Sequence, residues 1–313
     1  MASRILFIGN FLSRSRGTTG PTERVAPRLK AYGHEFWLVS RVENRWLRFL
    51  HILTACLFYP YDQIQVDTYS GRSFLWARWA TRLAAWRKKK VALHLHGGGL
   101  PEYYEQNPQM VERCLRRAGR LYAPSMRIVD FFASKGWEVV YLPNFIDNDL
   151  FQFREKAEQQ HRILWVRAFA PVYQPELAIR TFALLKQKYP DARLCMAGPD
   201  LGLRTGCERL AAQLHLSDSI EFAGPVPNET LPTYYYTHDV FLNTTRLESF
   251  GLALLEAASS GTPMVSTGVG EIPFLWRHLE AALLSPENDP QTLAALITQL
   301  FEEPELAQRL RKV

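Results

Sequence analysis

The stretch HRILWVRAF (His161–Phe169) is a short apolar run interrupted by an arginine, and SRILFIGN (Ser3–Asn10) has a similar pattern near the start of the chain. Apolar runs of this length predict strands that are buried on both faces of a parallel sheet. Helix-like segments and further short apolar runs alternate after each of the two stretches. This alternation predicts a doubly wound α/β sheet, and its repetition predicts two such sheets in one chain.

In the first half, a loop rich in Gly, Ser, Thr and Arg follows the opening strand, and a helix closed by Gly33 comes next. Further strands of this half are predicted at Phe36–Ser40, Lys90–Gly97, Arg120–Ser125 and Glu138–Asn144. In the second half, the segment PELAIRTFALLKQKYPD has the period of a helix. Further strands of this half are predicted at Ala192–Pro199, Ser219–Val226, Asp239–Thr245 and Pro263–Pro273.

A polar stretch, Asn148–Gln160, separates the two halves, so the predicted domains are residues 1–152 and 153–313. Both are expected to be Rossmann-like. Ligands of such sheets bind outside the carboxyl ends of the strands. A two-domain protein of this kind is therefore expected to bind its ligands in a cleft between two facing sets of strand-end loops.

The composition, 313 residues with 47% hydrophobic and 22% charged side chains, is typical of a globular protein with two domains. Its charge is uneven: residues 1–154 carry 23 Lys and Arg against 12 Asp and Glu, and residues 155–313 carry 14 against 19. The basic half is expected to face an anionic partner, such as phosphate groups or a lipid surface. A solvated basic face without a partner is the alternative, and no nucleic-acid partner is predicted.

The four cysteines, Cys56, Cys114, Cys195 and Cys207, show neither close pairing nor metal-ligand spacing, which favours a reducing compartment. The opening MASRILFIGN lacks the pattern of a signal peptide. The most apolar window, Trp46–Tyr61, is shorter than the roughly 20 residues that span a bilayer. A cytoplasmic protein without a transmembrane helix is therefore expected.

The segment TTRLESFGLALLEAASSGTP (Thr244–Pro263) contains two glutamates, Glu248 and Glu256, around an apolar run. Ser249 is a plausible helix N-cap, and the backbone N–H groups of a helix start can bind phosphate. Eight helical residues would separate the glutamates by about 12 Å and roughly 80° around the axis. They could then contact two ends of one elongated ligand, but could not form a close catalytic pair. An amphipathic helix with two charges on its rim is the alternative.

ESFGLALLEAASSGTPMVS resembles the signature of the retaining, nucleotide-sugar-dependent glycosyltransferases with the GT-B fold, of the family-four type. Their pattern is Glu, seven residues, Glu, and then Ala, a small pair, Gly and Pro, matched here by Glu248, Glu256, Ala257, Gly261 and Pro263. The resemblance extends over most of the chain. Its other parts are Thr18–Glu35, Pro124–Asp147 and Gly224–Thr245.

This resemblance implies roles for residues of the second domain. Glu256 would bind the ribose hydroxyls of the nucleotide, and Glu248 would lie beside the transferred sugar. The start of the helix would contact the sugar and the diphosphate, Gly224–Val226 would lie along the base, and Arg167 would hold the leaving diphosphate. The full set of implied donor-binding residues is Arg167, Tyr173, Gly224, Pro225, Val226, Ser249, Phe250, Gly251, Leu252 and Glu256.

The chain departs from the family pattern after Arg167. A Lys-Gly pair is usual five and six residues later, where this sequence has Val172 and Tyr173. A cation at this point stabilises the charge that develops on the leaving group. Another cation could take its place, with Arg14, Arg16 and Arg204 as candidates, or Tyr173 and the helix dipole could suffice. The remaining alternative is a weak or inactive enzyme that binds sugar nucleotides.

In the first domain, the resemblance places His96, from HLHGGGLP, near the reacting centre. We expect His94, two residues earlier, not to face the same way. Gly97 and Gly98 would let the backbone approach a ligand, and Gly20 matches the family's first glycine loop, near the diphosphate or the acceptor. A His-Gly-Gly-Gly loop can also form the oxyanion hole of a lipase, but that function needs a Gly-x-Ser-x-Gly elbow, which this sequence lacks.

Two segments, Glu43–Tyr61 and Arg72–Lys90, mix aromatic and basic residues at helical spacing. They could bind an anionic membrane surface and bring a lipid-linked acceptor to the cleft, or they could pack in the core. We favour core packing for the first and membrane contact for the second. No paired-carboxylate metal motif ends a strand, so no metal site and a metal-independent reaction are expected.

The sequence thus predicts a retaining hexosyltransferase that uses a UDP-sugar or a GDP-sugar and no further cofactor. Glu248, His96 and Arg167 are its candidate catalytic residues. The acceptor would be a glycan or a lipid-linked sugar on the first domain, as in polysaccharide, lipopolysaccharide or glycolipid synthesis. The protein would be cytoplasmic and peripheral at the inner membrane face. The resemblance also implies that the usual final helices, which cross back to the first domain, are missing. An epimerase of UDP-sugars shares the fold but not the two-glutamate helix.

Overall fold

A computed structural model describes residues 3–12, 20–156 and 159–312. The chain divides into two units, residues 1–144 and 145–313. Each unit contains a parallel sheet of six strands with helices between successive strands. The prediction of two doubly wound α/β sheets is therefore confirmed.

The first unit begins with β1, and its strands follow the order β2-β1-β3-β4-β5-β6 across the sheet. The strands are β1 (Arg4–Ile8), β2 (Glu35–Val39), β3 (Gln63–Thr68), β4 (Lys90–Leu95), β5 (Arg120–Ala123) and β6 (Val140–Tyr141). The helices are α1 (Pro21–Val25), α2 (Arg45–Phe58), α3 (Phe74–Trp86), α4 (Leu100–Gln106), α5 (Pro108–Leu115) and α6 (Met126–Ser134). The central strands are nearly continuous apolar runs because helices cover both faces of the sheet.

The helix predicted after the first loop differs from the observed one. The short α1 passes directly into a 3₁₀ helix, Ala26–Tyr32, because Pro27 near the start of that turn lacks the N–H that an α-helix needs. Gly33 ends the segment as predicted, with a φ of 78° that glycine adopts without strain.

The second unit has the strand order β12-β11-β10-β7-β8-β9. Its strands are β7 (Arg162–Val166), β8 (Arg193–Ala197), β9 (Ile220–Gly224), β10 (Val240–Asn243), β11 (Met264–Thr267) and β12 (Leu283–Ser285). Its helices are α7 (Pro175–Lys188), α8 (Arg204–Gln213), α9 (Leu231–Thr237), α10 (Leu252–Ser259), α11 (Ile272–Leu275), α12 (Pro290–Glu302) and α13 (Pro304–Arg311). A 3₁₀ turn, Pro171–Tyr173, lies between β7 and α7.

The segment between the two units packs on the second one. Ile146 and Phe151 are buried in a core cluster together with Leu164, Tyr235 and Phe241. This packing explains why the boundary between the units follows Asn144. The predicted boundary, after residue 152, lies further along the chain in the polar stretch.

Helices α2 and α3 each bury one face against the first sheet and expose large apolar side chains on the other. Trp46 and Phe58 of α2 are 73% and 77% exposed, and Trp86 of α3 is 74% exposed. Within residues 3–12, 20–156 and 159–312, no helix has the length and the apolar character needed to cross a membrane. All four cysteines are free and buried.

Each sheet has a point at which the strand order reverses, because consecutive crossovers leave in opposite directions there. In the first sheet this point lies between β1 and β3, and in the second it lies between β7 and β10. In doubly wound sheets such a reversal opens a crevice at the carboxyl ends of the strands, where ligands bind. The strand order therefore selects two places in which to look for a site.

Candidate functional site

The reversal point of the second sheet is occupied by Arg167, which follows β7, and Asn243, which ends β10. Arg167 Nε donates a hydrogen bond to Asn243 Oδ1 over 3.0 Å, and Asn243 Nδ2 donates to Ser266 Oγ of β11 over 2.8 Å. The ring of Tyr173 lies 5.5 Å from the guanidinium carbon of Arg167. These contacts hold the guanidinium at the carboxyl edge of the sheet.

Glu248 lies in the loop between β10 and α10 and pairs with Arg167. Its Oε2 accepts a hydrogen bond from Arg167 Nη2 over 3.0 Å, and the two side chains are only 14% and 11% exposed. Its Oε1 accepts from the backbone N–H groups of Ser249 and Phe250 over 3.0 and 3.3 Å. The carboxylate thus occupies a position that combines a cation with two backbone donors, which is the environment that an anionic ligand requires.

The prediction that Ser249 caps the helix is wrong. The N-cap is Gly251, at a φ of 86°, and helix α10 begins at Leu252. A left-handed residue is needed because the loop turns sharply from Glu248 into the helix, and a Cβ on Gly251 would lie 2.8 Å from Leu254 Cδ1. Glu248 is therefore outside the helix, and its separation from Glu256 is not that of two residues on one helix.

Two glycines bring backbone segments unusually close together around this loop. A Cβ on Gly270, after β11, would lie 2.1 Å from the carbonyl oxygen of Glu248, and the next residue, Glu271, donates its N–H to that oxygen over 3.0 Å. A Cβ on Gly198, after β8, would lie 1.9 Å from the carbonyl oxygen of Arg167. Both positions therefore exclude a larger residue and fix the backbones of the two charged residues.

Glu256 lies on α10 and is only 4% exposed. Tyr235 Oη of α9 donates a hydrogen bond to its Oε2 over 3.2 Å. The carboxylate is therefore buried. This argues against the alternative interpretation, in which Glu256 is a solvated charge on the rim of an amphipathic helix.

The position at which the family pattern has a lysine is exposed. Val172 is 37% exposed, and its carbonyl oxygen accepts hydrogen bonds from the backbone N–H of Arg246 over 2.7 Å and from Thr245 Oγ1 over 3.2 Å. The fold thus brings a cationic residue, Arg246, to Val172 from the loop that also carries Glu248. Arg246 was not among the cations that the sequence suggested as substitutes for the lysine.

The structure describes one of the three arginines suggested as substitutes for the missing lysine. Arg14 and Arg16 lie outside the described residues. Arg204 is at the start of α8 and is engaged: its Nε donates to Glu208 Oε1 over 2.8 Å, and its Nη2 donates to the carbonyl oxygen of Phe222 over 3.0 Å. Its Nη1 lies beside Gly224, the first residue of the Gly224–Val226 segment, which has a φ of 72°.

At the carboxyl edge of the first sheet, Asp67 of β3 meets His94 and His96 at the end of β4. The His94 and His96 ring centroids are 4.0 Å apart, and His96 Nε2 lies 3.4 Å from Asp67 Oδ1. The expectation that the two histidines face different ways is wrong, because residues two apart along a strand share a face. Burial, with a further contribution from His96, lowers the pKa of His94 to about 3, so its imidazole is neutral at pH 7.

The predicted glycine positions of the first unit have different backbone conformations. Gly97 has a φ of 87°, which a residue with a side chain rarely adopts, and its neighbour Gly98 accepts a hydrogen bond from Arg127 Nη1 over 3.2 Å. Gly20 precedes α1 at a φ of −73°, which any residue can adopt, and its N–H donates to Glu23 Oε2 over 3.2 Å. A special backbone requirement is therefore present at Gly97 but absent at Gly20.

The chain was compared with known protein families and curated proteins. Residues 147–313 match the family described as "Glycosyl transferases group 1". The D-inositol 3-phosphate glycosyltransferase of Thermomonospora curvata is 31% identical over 156 residues, which are 47% of this chain and 36% of that protein. The protein of the same name from Thermobispora bispora is 24% identical over 214 residues, 63% of this chain and 50% of that protein. The matched region thus spans half or less of either relative's length.

Solved structures share the fold at low sequence identity. Sucrose-phosphate synthase from Thermosynechococcus elongatus superposes with a TM-score of 0.79 at 18% identity, covering 99% of this chain and 92% of that one. Anabaena HepE in complex with UDP and glucose superposes with a TM-score of 0.74 at 16% identity, covering 99% and 93%. Both likenesses extend over both units and confirm the predicted fold class.

Proposed function

Because this chain belongs to the glycosyl transferases group 1 family, we propose that it transfers a hexose-type sugar from a nucleoside diphosphate sugar to a glycan or a lipid-linked acceptor. The observation that carries the proposal is the arrangement at the reversal point of the second sheet. There Arg167 and the backbone N–H groups of Ser249 and Phe250, in the loop that leads into α10, contact the carboxylate of Glu248. The donor would bind to the second unit and the acceptor to the first.

The diphosphate of the donor would bind where Arg167 can reach it. Two of the five N–H donors of this guanidinium contact Asn243 and Glu248 in the described part of the chain. The planar fork of the guanidinium can offer its other donors to phosphate oxygens while Asn243 still fixes its orientation. The N-terminal end of α10 would offer further backbone N–H donors to the phosphate oxygens.

Glu248 would change partners when the donor binds. Without a ligand its carboxylate occupies the two N–H groups of Ser249 and Phe250, as an anion would. A diphosphate that takes these donors would release the carboxylate to accept hydrogen bonds from sugar hydroxyls. Glu248 would thus connect binding of the sugar with binding of the phosphate.

The reaction would be retaining and metal-independent. The bond from the anomeric carbon to the β-phosphate oxygen breaks, and the acceptor oxygen forms a bond to that carbon on the same face. The acceptor proton passes to the departing diphosphate. The protein would contribute positioning, and Arg167 would stabilise the negative charge that develops on the leaving group. His96, at the edge of the first sheet, would line the reacting centre.

The remaining donor contacts follow from positions on the second unit. Glu256 would accept a hydrogen bond from the ribose, with Tyr235 holding its other oxygen. Gly224–Val226 would lie along the base, beside Arg204. Arg246 would supply the second cation that the family pattern places at Val172, since its backbone is bonded to that residue and its side chain is exposed and able to turn towards a bound phosphate. A UDP-sugar or a GDP-sugar is the proposed donor.

A screen of nucleotide sugars tests this function directly. Thermal unfolding is followed with UDP-, GDP- and ADP-sugars, because a bound donor raises the stability of the native state. Release of nucleoside diphosphate is then measured with the stabilising donor, and NMR of the product shows the anomeric configuration. Stabilisation without release would favour an inactive binding protein, for which the missing lysine at Val172 is the supporting observation. Absence of both would contradict the proposal.

We also propose that the first unit contacts an anionic membrane at the inner face, where a lipid-linked acceptor would be found. The supporting observations are the exposed aromatic rings on α2 and α3, Trp46, Phe58 and Trp86, and the basic run Lys88–Lys90 that follows Trp86 in the sequence. Such a combination binds anionic lipids through apolar insertion and charge attraction. Vesicles containing phosphatidylglycerol should sediment the protein, whereas neutral vesicles should not. Equal binding to both would contradict the proposal.

A further inference from the structure

The proposed transfer reaction gives a role to His96 alone, and it does not explain why Asp67 and His94 lie against that histidine at the edge of the first sheet. All three are at most 8% exposed, and one ligand-type atom from each lies within 4.8 Å of the other two. The Nε2 atoms of both histidines are buried and have no hydrogen-bond partner within the described residues. Two buried ring nitrogens without partners are costly unless a group between them is bound.

Each of the three side chains is held by a neighbour that orients it towards the other two. Leu142 makes a backbone hydrogen bond to the ring of His94, and since Nε2 is unpartnered, this bond uses Nδ1. The ring of Tyr69 stacks on His96 at 5.2 Å, with an angle of 18° between the planes. Thr22 Oγ1 lies 3.0 Å from each carboxylate oxygen of Asp67. Outer contacts of this kind fix the tautomer and direction of metal ligands.

A hydrogen-bonded acid–base pair explains the geometry less well. His96 Nε2 lies 3.4 Å from Asp67 Oδ1, yet it does not form a hydrogen bond there. Two ligands bonded to zinc at 2.0–2.1 Å in tetrahedral geometry are about 3.4 Å apart, so this separation suits a shared metal ion. A pair would also leave His94 Nε2 without a partner.

We propose that Asp67, His94 and His96 form a binding site for one divalent transition-metal ion of the zinc type. Two imidazole nitrogens and a carboxylate oxygen are ligands that Zn²⁺ prefers, and three protein ligands leave a fourth position open for water or another small ligand. The site belongs to the first unit and contains no residue of the proposed donor site, but it includes His96, which we propose to line the reacting centre.

The test measures metal binding by the full chain without any sugar nucleotide, so its result is independent of the proposed transferase activity. The protein is stripped with a chelator and dialysed against micromolar free Zn²⁺, and bound zinc is counted by atomic emission. The variants are His94→Asn, whose amide can keep the hydrogen bond to Leu142, and Asp67→Asn. The matched control is His215→Asn, at an exposed histidine of the second unit with a φ of 57°.

One zinc ion per wild-type chain is expected, with affinity lowered about 100-fold or more in both variants and unchanged in the control. If a variant does not fold, X-ray absorption at the zinc edge of the wild-type protein decides. Two imidazoles and an oxygen ligand are expected there. Absence of bound zinc, zinc retained equally by both variants, or a ligand shell containing sulfur would overturn the proposal.

Discussion

Replacement of Arg167 by alanine is the perturbation for which the structure gives the clearest expectation. The side chain makes two hydrogen bonds of 3.0 Å, to Asn243 and to Glu248, and it is only 11% exposed. The alanine variant removes the cation from the reversal point of the second sheet. It also leaves Glu248 with only backbone donors for its carboxylate.

The magnitudes follow from these contacts. Two lost charge-assisted hydrogen bonds, one to an amide oxygen and one to a carboxylate, lower the free energy of unfolding by about 1–3 kcal/mol. Loss of a cation at the leaving diphosphate costs about 3 kcal/mol in the transition state, which is roughly a 100-fold decrease in kcat. Arg167→Lys keeps the charge but cannot bridge Asn243 and Glu248 as a fork does, so an intermediate decrease of about tenfold is expected.

The assay is donor-dependent release of nucleoside diphosphate, combined with chemical unfolding of the same samples. Arg180→Ala, at an exposed position of α7, is the matched control and should behave as wild type in both measurements. The reasoning is refuted if Arg167→Ala retains turnover within twofold of wild type. It is also refuted if the loss of turnover is fully explained by the fraction of unfolded protein.

Four further predictions concern the same fold. Glu248→Gln should lower turnover about 100-fold while UDP binding stays within threefold, because the amide keeps one oxygen for the loop N–H groups but loses the negative charge and the second acceptor oxygen. Equal losses in turnover and in UDP binding would contradict this role. Gly198→Ala should lower the free energy of unfolding by about 2–4 kcal/mol in denaturant titrations, because the added Cβ would clash with the backbone of Arg167. The control, Gly206→Ala on α8, has open space around it and should raise the free energy of unfolding by up to about 1 kcal/mol. Arg246→Ala should weaken UDP binding about tenfold in calorimetry, and the further substitution Val172→Lys should restore the affinity. Unchanged UDP affinity in Arg246→Ala would exclude Arg246 as the second cation. Transfer by the metal-free protein should need no added divalent ion, and Zn²⁺ should lower its rate because it would bind His96, which is proposed to line the reacting centre. A rate of nucleoside diphosphate release that Zn²⁺ leaves unchanged would contradict this.

The strands that are plainest in the sequence are those whose burial is visible as a continuous apolar run. β1 and β7 are of this kind. β3 was missed because its sequence, QIQVDT, alternates polar and apolar residues although the end of the strand is buried. β12 was missed because it has only three residues. The missed β3 carries Asp67, so the cluster with the two histidines could not be predicted either.

Part of the candidate site could be predicted because some of its residues follow predicted strands. The residues whose position depends on tertiary contacts could not be predicted. Glu248 and Arg167 stand at strand ends, which the repeated pattern locates. The cap at Gly251 depends on a left-handed backbone that residue type does not reveal, since Ser249 is the ordinary capping residue in this segment. Asn243 and Arg246 had no role predicted from the sequence, because only strand order and loop packing bring them to Arg167 and Val172.

Calorimetric titration of the purified chain with UDP and with GDP tests the central claim most directly, because it needs neither the acceptor nor the sugar. Saturable binding of one of the two nucleotides at a single site is predicted, with an affinity at least tenfold weaker in Arg167→Ala and unchanged in Arg180→Ala. Absence of binding by either nucleotide at millimolar concentration, or binding that Arg167→Ala leaves intact, would contradict the account.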